Sequence, residues 1–296
     1  MKAQCHSEDR RMPEDKVVTR FAPSPSGHLH LGHAYSAMFA ENAAEKQGGQ
    51  FLLRIEDIDE GRCRLEFEES IMQDLDWLGL SWEKPVHRQS DHLNNYKIAL
   101  DMLREMGVLY PCFCTRKEIL AEIKGAVRAP HEVSHGPDGL IYPGICRNLT
   151  PDERESRLAS NEPFALRLNV TRAQALVGNI QWIDLDHGLM SGKPEIFGDV
   201  VLARKDIPTS YHLSVTVDDN FQKVTLVTRG EDLRHATHIH RLLQELLNYD
   251  VPEYQFHRLL SGRNGRRYSK RDTSVSLRLL REAGHTPNDI RKLVSF

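Results

Sequence analysis

The stretch that decides the fold is Arg20-Phe21-Ala22-Pro23-Ser24-Pro25-Ser26-Gly27-His28-Leu29-His30-Leu31-Gly32-His33. It follows the short β-favouring run Val17 to Phe21 and leads into an apolar pattern of helical period from about Leu31 to Lys46, which Gly48 and Gly49 stop. Phe51 to Ile55 is a second apolar run suited to a buried strand, and Phe67, Ile71, Leu75 and Leu78 then recur at helix spacing. Strand, glycine-containing loop, helix, strand and helix in that order predict a right-handed βαβ unit at the start of a parallel, doubly wound sheet. The expected class is α/β with a Rossmann-type parallel sheet, and the quoted loop lies where such sheets bind nucleotides.

Further along, Leu93, Tyr96, Leu100 and Leu103 mark another amphipathic helix, and Pro111 opens a Cys-, Gly- and Pro-rich region running to about Pro151. That break predicts an inserted subdomain. Leu166 to Val170 and Trp182 to Leu185 are expected as strands of the insertion, and Val200 to Ala203 and Val224 to Thr228 as strands returning to the main sheet. Leu233, Ala236, Ile239, Leu243 and Leu246 form one stripe of a long helix, and a short helix is expected around Ser276 to Ala283. The expected division is a tail at 1–15, the two halves of the Rossmann-type domain at 16–111 and 196–255, an insertion at 112–195, and a loop and helix at 256–296.

Composition narrows the function. Hydrophobic residues make up 40% and charged residues 27% of 296 residues, the balance of an ordinary globular protein large enough for a substantial core. A formal charge of -3 gives no global attraction to nucleic acid, so RNA contact must come from local basic clusters. No apolar run reaches the roughly 20 residues of a membrane helix. The first residues carry Glu8, Asp9, Glu14 and Asp15 and no apolar centre, so neither a signal nor a transit peptide is expected, and a cytoplasmic location is.

The chemistry begins at His30-Leu31-Gly32-His33. A helix N-terminus offers backbone N–H groups and a partial positive charge to phosphate, and Gly32 lets a purine approach without a Cβ in the way. His30 and His33 add donors for the charge that develops when pyrophosphate leaves. The companion element is Arg267-Tyr268-Ser269-Lys270-Arg271, a basic loop able to close over a triphosphate, where an ammonium near the α-phosphate stabilises the pentavalent transition state. A third constellation is Cys112-Phe113-Cys114 with Tyr142-Pro143-Gly144-Ile145-Cys146. Three thiols and a phenolate can complete a closed tetrahedral zinc site, with His131 or His135 as alternatives to Tyr142. Cys5 and Cys63 fall outside that cluster.

In the order of its landmarks the sequence resembles the catalytic domain of the glutamyl-tRNA synthetases, class I enzymes with H-I-G-H and K-M-S-K-S motifs. The likeness runs through Arg54-Ile55-Glu56-Asp57, Pro208-Thr209-Ser210-Tyr211-His212-Leu213, Val217-Asp218-Asp219, Arg229-Gly230-Glu231-Asp232 and Ser269-Lys270-Arg271. Leu31 stands where the family has isoleucine, Arg267 where it has the first lysine of the loop motif, and Tyr268 where it has methionine or leucine. The resemblance implies ATP, taken with magnesium, as a substrate held by His30, Gly32, His33, Ser269 and Lys270, with His30, His33 and Lys270 catalytic. It also implies an L-glutamate pocket of Arg20, Ala22, Ser24, Glu56, Tyr211 and Arg229. There two guanidinium groups would clamp the carboxylates, Glu56 would hold the ammonium, and the Tyr211 hydroxyl would add a donor. Asp57 and Asp59 are better placed to stabilise loops than to meet magnesium.

Only Asp272 to Phe296 follow the loop motif, a length that does not build an anticodon-reading domain. With the Cys-x-Cys and Tyr-x3-Cys pattern, this resembles the shortened branch of the family, the glutamyl-queuosine tRNA(Asp) synthetases. The implied set is structural zinc on Cys112, Cys114, Tyr142 and Cys146, tRNA(Asp) carrying queuosine as acceptor, and a monomer. Competing readings are a minimal synthetase charging the 3′ end of tRNA(Glu), a nucleotidyltransferase with the same histidine loop, and a non-catalytic RNA-binding paralogue.

Overall fold

The computed structural model describes residues 16–126, 135–260 and 276–296. The expected tail at 1–15, His131, and the loop carrying Arg267, Tyr268, Ser269, Lys270 and Arg271 lie outside the described residues.

The opening unit forms as its pattern requires. Strand β1 (Val18–Phe21) leads through the Pro/Ser/Gly loop to helix α1 (Leu31–Glu45), and strand β2 (Gln50–Ile55) pairs with β1 in parallel. Helix α2 (Leu65–Trp77) crosses to strand β3 (Glu83–Arg88), also parallel to β2. The inner face of α1 is rich in alanine at positions 34, 37, 40, 43 and 44, which favours the helix and lets it lie close to the strands beneath. Thr19 ties the two together by donating its hydroxyl to Ala40 O at 2.8 Å.

After helix α3 (Leu93–Glu105), strand β4 (Leu109–Cys112) and helix α4 (Arg116–Ala126) enter the inserted region. A small hairpin of β5 (His135–Gly136) and β6 (Gly139–Leu140) and helix α5 (Pro151–Ala159) precede strand β7 (Ala165–Leu168). The β7 strand stops at Leu168 and does not reach Val170, because the Asn169 side chain accepts from Arg172 N–H at 3.0 Å and caps helix α6 (Val170–Val177).

Two strand expectations exchange places. Strand β8 (Gln181–Asp184), expected in the insertion, pairs in parallel with β12 (Glu253–His257) of the main sheet through Tyr254 and Asp184, and continues into a hairpin with β9 (Gly188–Ser191). Strand β10 (Val201–Ala203), expected in the main sheet, pairs antiparallel with β7, which also pairs antiparallel with β4. Both runs are short and apolar, so their local pattern does not encode which sheet receives them.

Helix α7 (Tyr211–Phe221), strand β11 (Leu226–Gly230), helix α8 (Thr237–Leu246) and strand β12 (Glu253–His257) complete the main layer, in the order β11-β12-β8-β9. The β1-β2-β3 sheet lies beside it, with Thr225 N–H donating to Val18 O at 3.0 Å across the junction. The long helix expected from Leu233 starts four residues later, since Arg234 pairs with Glu231 and Asp184 and holds the preceding residues in a separate turn with Leu233 37% exposed.

Helices α9 (Leu277–Glu282) and α10 (Pro287–Val294) fold back on the opening unit. Leu277, Ile290 and Val294 are buried in one cluster with Leu31, Ala34, Met38, Ile71 and Leu75. Ser276 is bridged to His30, and Leu277 N–H donates to Leu29 O at 2.8 Å. Among the described residues, no helix is long and apolar enough to cross a membrane.

Candidate active site

His30 is the residue before the first turn of α1 and acts as its cap. Its Nδ1 accepts from Gly32 N–H at 3.1 Å, while His33 Nδ1 accepts from the His30 N–H at 3.1 Å. The two rings stack with centroids 3.8 Å apart. Because both Nδ1 atoms accept from backbone amides, each neutral ring carries its proton on Nε2. A Cβ on Gly32 would stand 3.0 Å from His30 Cε1, close enough that the capping ring would have to shift by a few tenths of an ångström.

The expected glutamate residues converge at the carboxyl ends of parallel strands, the ligand-binding edge of such sheets. Arg20 is in β1, Glu56 follows β2 and Arg229 is in β11, while Tyr211 opens α7. Glu56 interacts electrostatically with Arg54 and Arg20, and Tyr211 with Arg229, Glu56 and Arg20. Ala22 and Ser24 line the loop between β1 and α1, and the Glu56 N–H donates to Pro23 O at 3.0 Å, which sets the height of Glu56 against that loop.

Charge is arranged in layers. Buried Arg20 donates through Nε to Asp219 Oδ1 at 2.9 Å and through Nη1 to Thr228 O at 3.0 Å. Its fork is therefore largely held by protein, and the remaining Nη protons are what it has for a ligand. Fully buried Arg54 donates to Asp219 at 2.7 Å and to Gln222 at 2.7 Å. Burial alone would raise the Asp219 carboxyl, but Arg20 and Arg54 hold it below the usual carboxylate range. Asp218, also fully buried, accepts from Gln89 at 2.7 Å, Tyr96 at 2.9 Å and His87 at 3.0 Å. Removal from water pushes Glu56 up to about 7, with Arg54 and Arg20 opposing that rise.

Arg229 is fixed differently. It donates to His240 Nδ1 at 3.0 Å and to the Thr237 hydroxyl, and lies 5.4 Å from the Tyr254 ring centroid and 5.5 Å from that of Phe256. Its buried Nε–H has no hydrogen-bond partner among the described residues. A buried guanidinium with an unused donor is suited to an incoming carboxylate. Asp219, Arg54 and His240 had no site role in the sequence reading; Asp219 and Arg54 stand inside quoted landmarks, while nothing local marks His240.

Asp57 accepts from the Ser90 backbone at 2.9 Å and hydroxyl at 2.6 Å, and Asp59 from Arg62 at 2.8 Å. Both stabilise loops in this structure. The cysteine constellation also assembles: the sulfurs of Cys112, Cys114 and Cys146 lie within 4.8 Å of one another. Tyr142 Oη is 3.4 Å from Cys112 Sγ and 3.5 Å from Cys114 Sγ, and the Cys114 and Cys146 sulfurs are 3.3 Å apart. A tetrahedral zinc with bonds of about 2.0 Å to oxygen and about 2.3 Å to sulfur has O–S edges of about 3.5 Å and S–S edges of about 3.8 Å. The donor set fits such an ion with a small opening of the thiol pair. Gly144 makes the return turn with φ of 83°, a left-handed conformation that glycine adopts without strain. His135 is not part of this group.

The family model for tRNA synthetases class I (E and Q), catalytic domain, matches residues 16–295. The glutamyl-Q tRNA(Asp) synthetase of Rhodobacter capsulatus is 46% identical over 286 residues, covering 95% of this chain and 100% of that protein. The glutamate–tRNA ligase of Aquifex aeolicus is 38% identical, covering 92% of this chain and 55% of that protein. Among solved structures, the glutamate-tRNA synthetase from Elizabethkingia anophelis superposes with a TM-score of 0.79 at 28% identity, over 95% of this chain and 61% of that one.

Proposed function

Since the chain belongs to the class I tRNA synthetase (E and Q) catalytic-domain family, we propose that it is a ligase that activates L-glutamate with ATP and transfers the glutamyl group to the queuosine base at the wobble position of tRNA(Asp). The observation that carries the first half is the pocket at the strand ends, where Tyr211 interacts with both Arg229 and Glu56 and the buried Arg229 Nε–H has no hydrogen-bond partner among the described residues. A ligand with two carboxylates and an ammonium complements that layout. The queuosine acceptor rests on likeness to the glutamyl-Q tRNA(Asp) synthetases, at 46% and 40% identity over more than 90% of the chain.

In the first step the glutamate α-carboxylate attacks the α-phosphate of ATP in line, forming glutamyl-adenylate and releasing pyrophosphate. Arg229 and the spare Nη protons of Arg20 hold the carboxylates, and ionised Glu56 holds the ammonium. His30 and His33 present Nε2–H groups to the phosphates at the start of α1, where the helix dipole adds positive potential. Ser269 and Lys270 act on the same phosphates from the basic loop; the described chain resumes beyond that loop at Ser276, bridged to His30. In the second step a hydroxyl of the queuosine cyclopentenediol attacks the mixed anhydride, giving an ester and AMP. Cys112, Cys114, Tyr142 and Cys146 would hold zinc, which when bound cross-links the end of β4 to the turn at 142–146.

The test is alkaline release of labelled glutamate from tRNA(Asp). Label present with queuosine and absent with guanosine at the wobble position is the expected result. Label on the 3′ end of tRNA(Glu) instead would replace the queuosine assignment with ordinary charging.

A further inference from the structure

The pocket arginine Arg229 stands at one end of a chain of hydrogen bonds that leaves the site altogether. Its guanidinium has only donors, so the 3.0 Å contact with His240 makes His240 Nδ1 an acceptor. A neutral His240 then carries its proton on Nε2, which lies 3.2 Å from His212 Nδ1. Accepting there leaves His212 with its proton on Nε2, which is 3.4 Å from Asp138 Oδ2. Every hydrogen bond in the series runs in one direction, from Arg229 on β11 through α8 and α7 to the turn of the β5–β6 hairpin. Burial, with Arg229 adding to it, holds His240 well below the usual imidazole range, which keeps that ring neutral.

The far end packs against the residues at 196 and 197. Gly136 of the hairpin sits so close to Ile196 O that a Cβ would be 2.5 Å from it. The Phe197 ring meets the His212 ring edge-on at 5.9 Å, and Tyr211 meets His240 at 5.5 Å. Tyr211 is itself an expected glutamate contact, so the residue next to it in sequence takes part in fixing the arginine across the pocket.

We propose that His240 and His212, anchored by Asp138, are positioning residues for glutamate recognition: they fix the rotamer of Arg229 and tie the amino-acid pocket to the inserted hairpin. This rests on the glutamate reading given above. Removing the acceptor under a guanidinium frees it to turn away from the substrate carboxylate, a loss that falls on glutamate binding and spares ATP.

Glutamate-dependent ATP–pyrophosphate exchange in His240→Leu should show a KM for glutamate raised about tenfold or more, with KM for ATP within about twofold of wild type. His240→Gln keeps an acceptor and a donor and should recover most of the loss. Asp138→Asn, on the exposed hairpin turn, should raise KM for glutamate by a smaller factor without affecting folding. Nitrogen-detected NMR of the imidazoles provides a readout that needs no turnover: both His240 and His212 should be Nε2–H tautomers, and Asp138→Asn should shift His212. An Nδ1–H tautomer at His212, or unchanged glutamate dependence in folded His240→Leu, overturns the proposal. Equal loss of both KM values and kcat in the leucine and glutamine variants alike also overturns it, since that is a packing effect. Absence of glutamate-dependent exchange in the wild-type protein would instead defeat the glutamate reading, and the tautomers would still decide the hydrogen-bond chain.

Discussion

His30 and His33 cap the same helix reciprocally, each using Nδ1 to accept a backbone N–H of that first turn. The motif is thus a structural device on one side of each ring, and under the proposed function the other side faces the phosphates.

The two roles separate by substitution. His30→Asn keeps a strong capping side chain and should alter stability by only a few tenths of a kcal/mol, whereas His30→Ala should lose about 1 kcal/mol. Both should slow ATP–pyrophosphate exchange by about 10² to 10³, because neither offers the Nε2–H in its place. Denaturant melts beside exchange rates check this. An asparagine variant with wild-type exchange would mean that capping is all His30 does.

Arg229→Ala and Glu56→Ala should raise KM for glutamate far more than KM for ATP. Truncating one partner of a desolvated ionic contact costs about 2 to 5 kcal/mol. Arg54→Ala should be worse for stability than either, since it leaves the buried carboxylate of Asp219 short of one of its two arginines. Exchange kinetics and urea denaturation measure the two effects side by side.

Glu56 gives the pocket a pH dependence with a defined sign. Burial pushes its carboxyl up to about 7, and the substrate ammonium needs the ionised form. KM for glutamate should therefore rise as pH falls through 7, binding should release a proton in that range, and Glu56→Gln should flatten the profile. Stability without ligand moves the opposite way: the native state holds this proton between about 4.5 and about 7 while the unfolded chain has released it, so the group's contribution falls as pH rises across that window. Calorimetric titration in two buffers of different ionisation enthalpy counts the proton.

Purified protein should contain about one zinc per chain, and Cys114→Ser should lose it. Structural zinc sites in small peptides contribute about 10 to 16 kcal/mol of apparent binding energy at neutral pH, so the variant should be proteolysed first within the inserted region. Metal analysis of protein prepared without chelators, finding none, would remove zinc from the scheme.

The opening unit was legible because its signals are local: apolar runs of strand length, a helix of the right period and glycines at its end. The same logic located the histidine motif at the helix start, though not its capping, and the cysteine constellation, whose members are close in sequence or carry a distinctive spacing. It failed for Gln181–Asp184 and Val201–Ala203, which differ in the strand they meet, a property of neither segment alone. It also missed what holds the pocket arginines. Arg20 finds Asp219 across 199 positions of sequence, and His240 reads as one polar residue within an amphipathic helix. Contacts of that kind exist only once the sheet has formed.

The burial of Leu277, Ile290 and Val294 against α1 has a bearing on the protein's birth. Helix α1 is translated before the Leu277, Ile290 and Val294 side chains that share its cluster, which follow roughly 240 residues later, a delay on the order of 10 to 50 s at ordinary elongation rates. Until then the cluster around Leu31 and Met38 lacks those three members, and the bridge between Ser276 and His30 cannot form. The histidine loop is thus made well before it is completed, so a nascent chain stalled before residue 276 should expose apolar surface of α1 to chaperones and leave His30 without its bridge to Ser276.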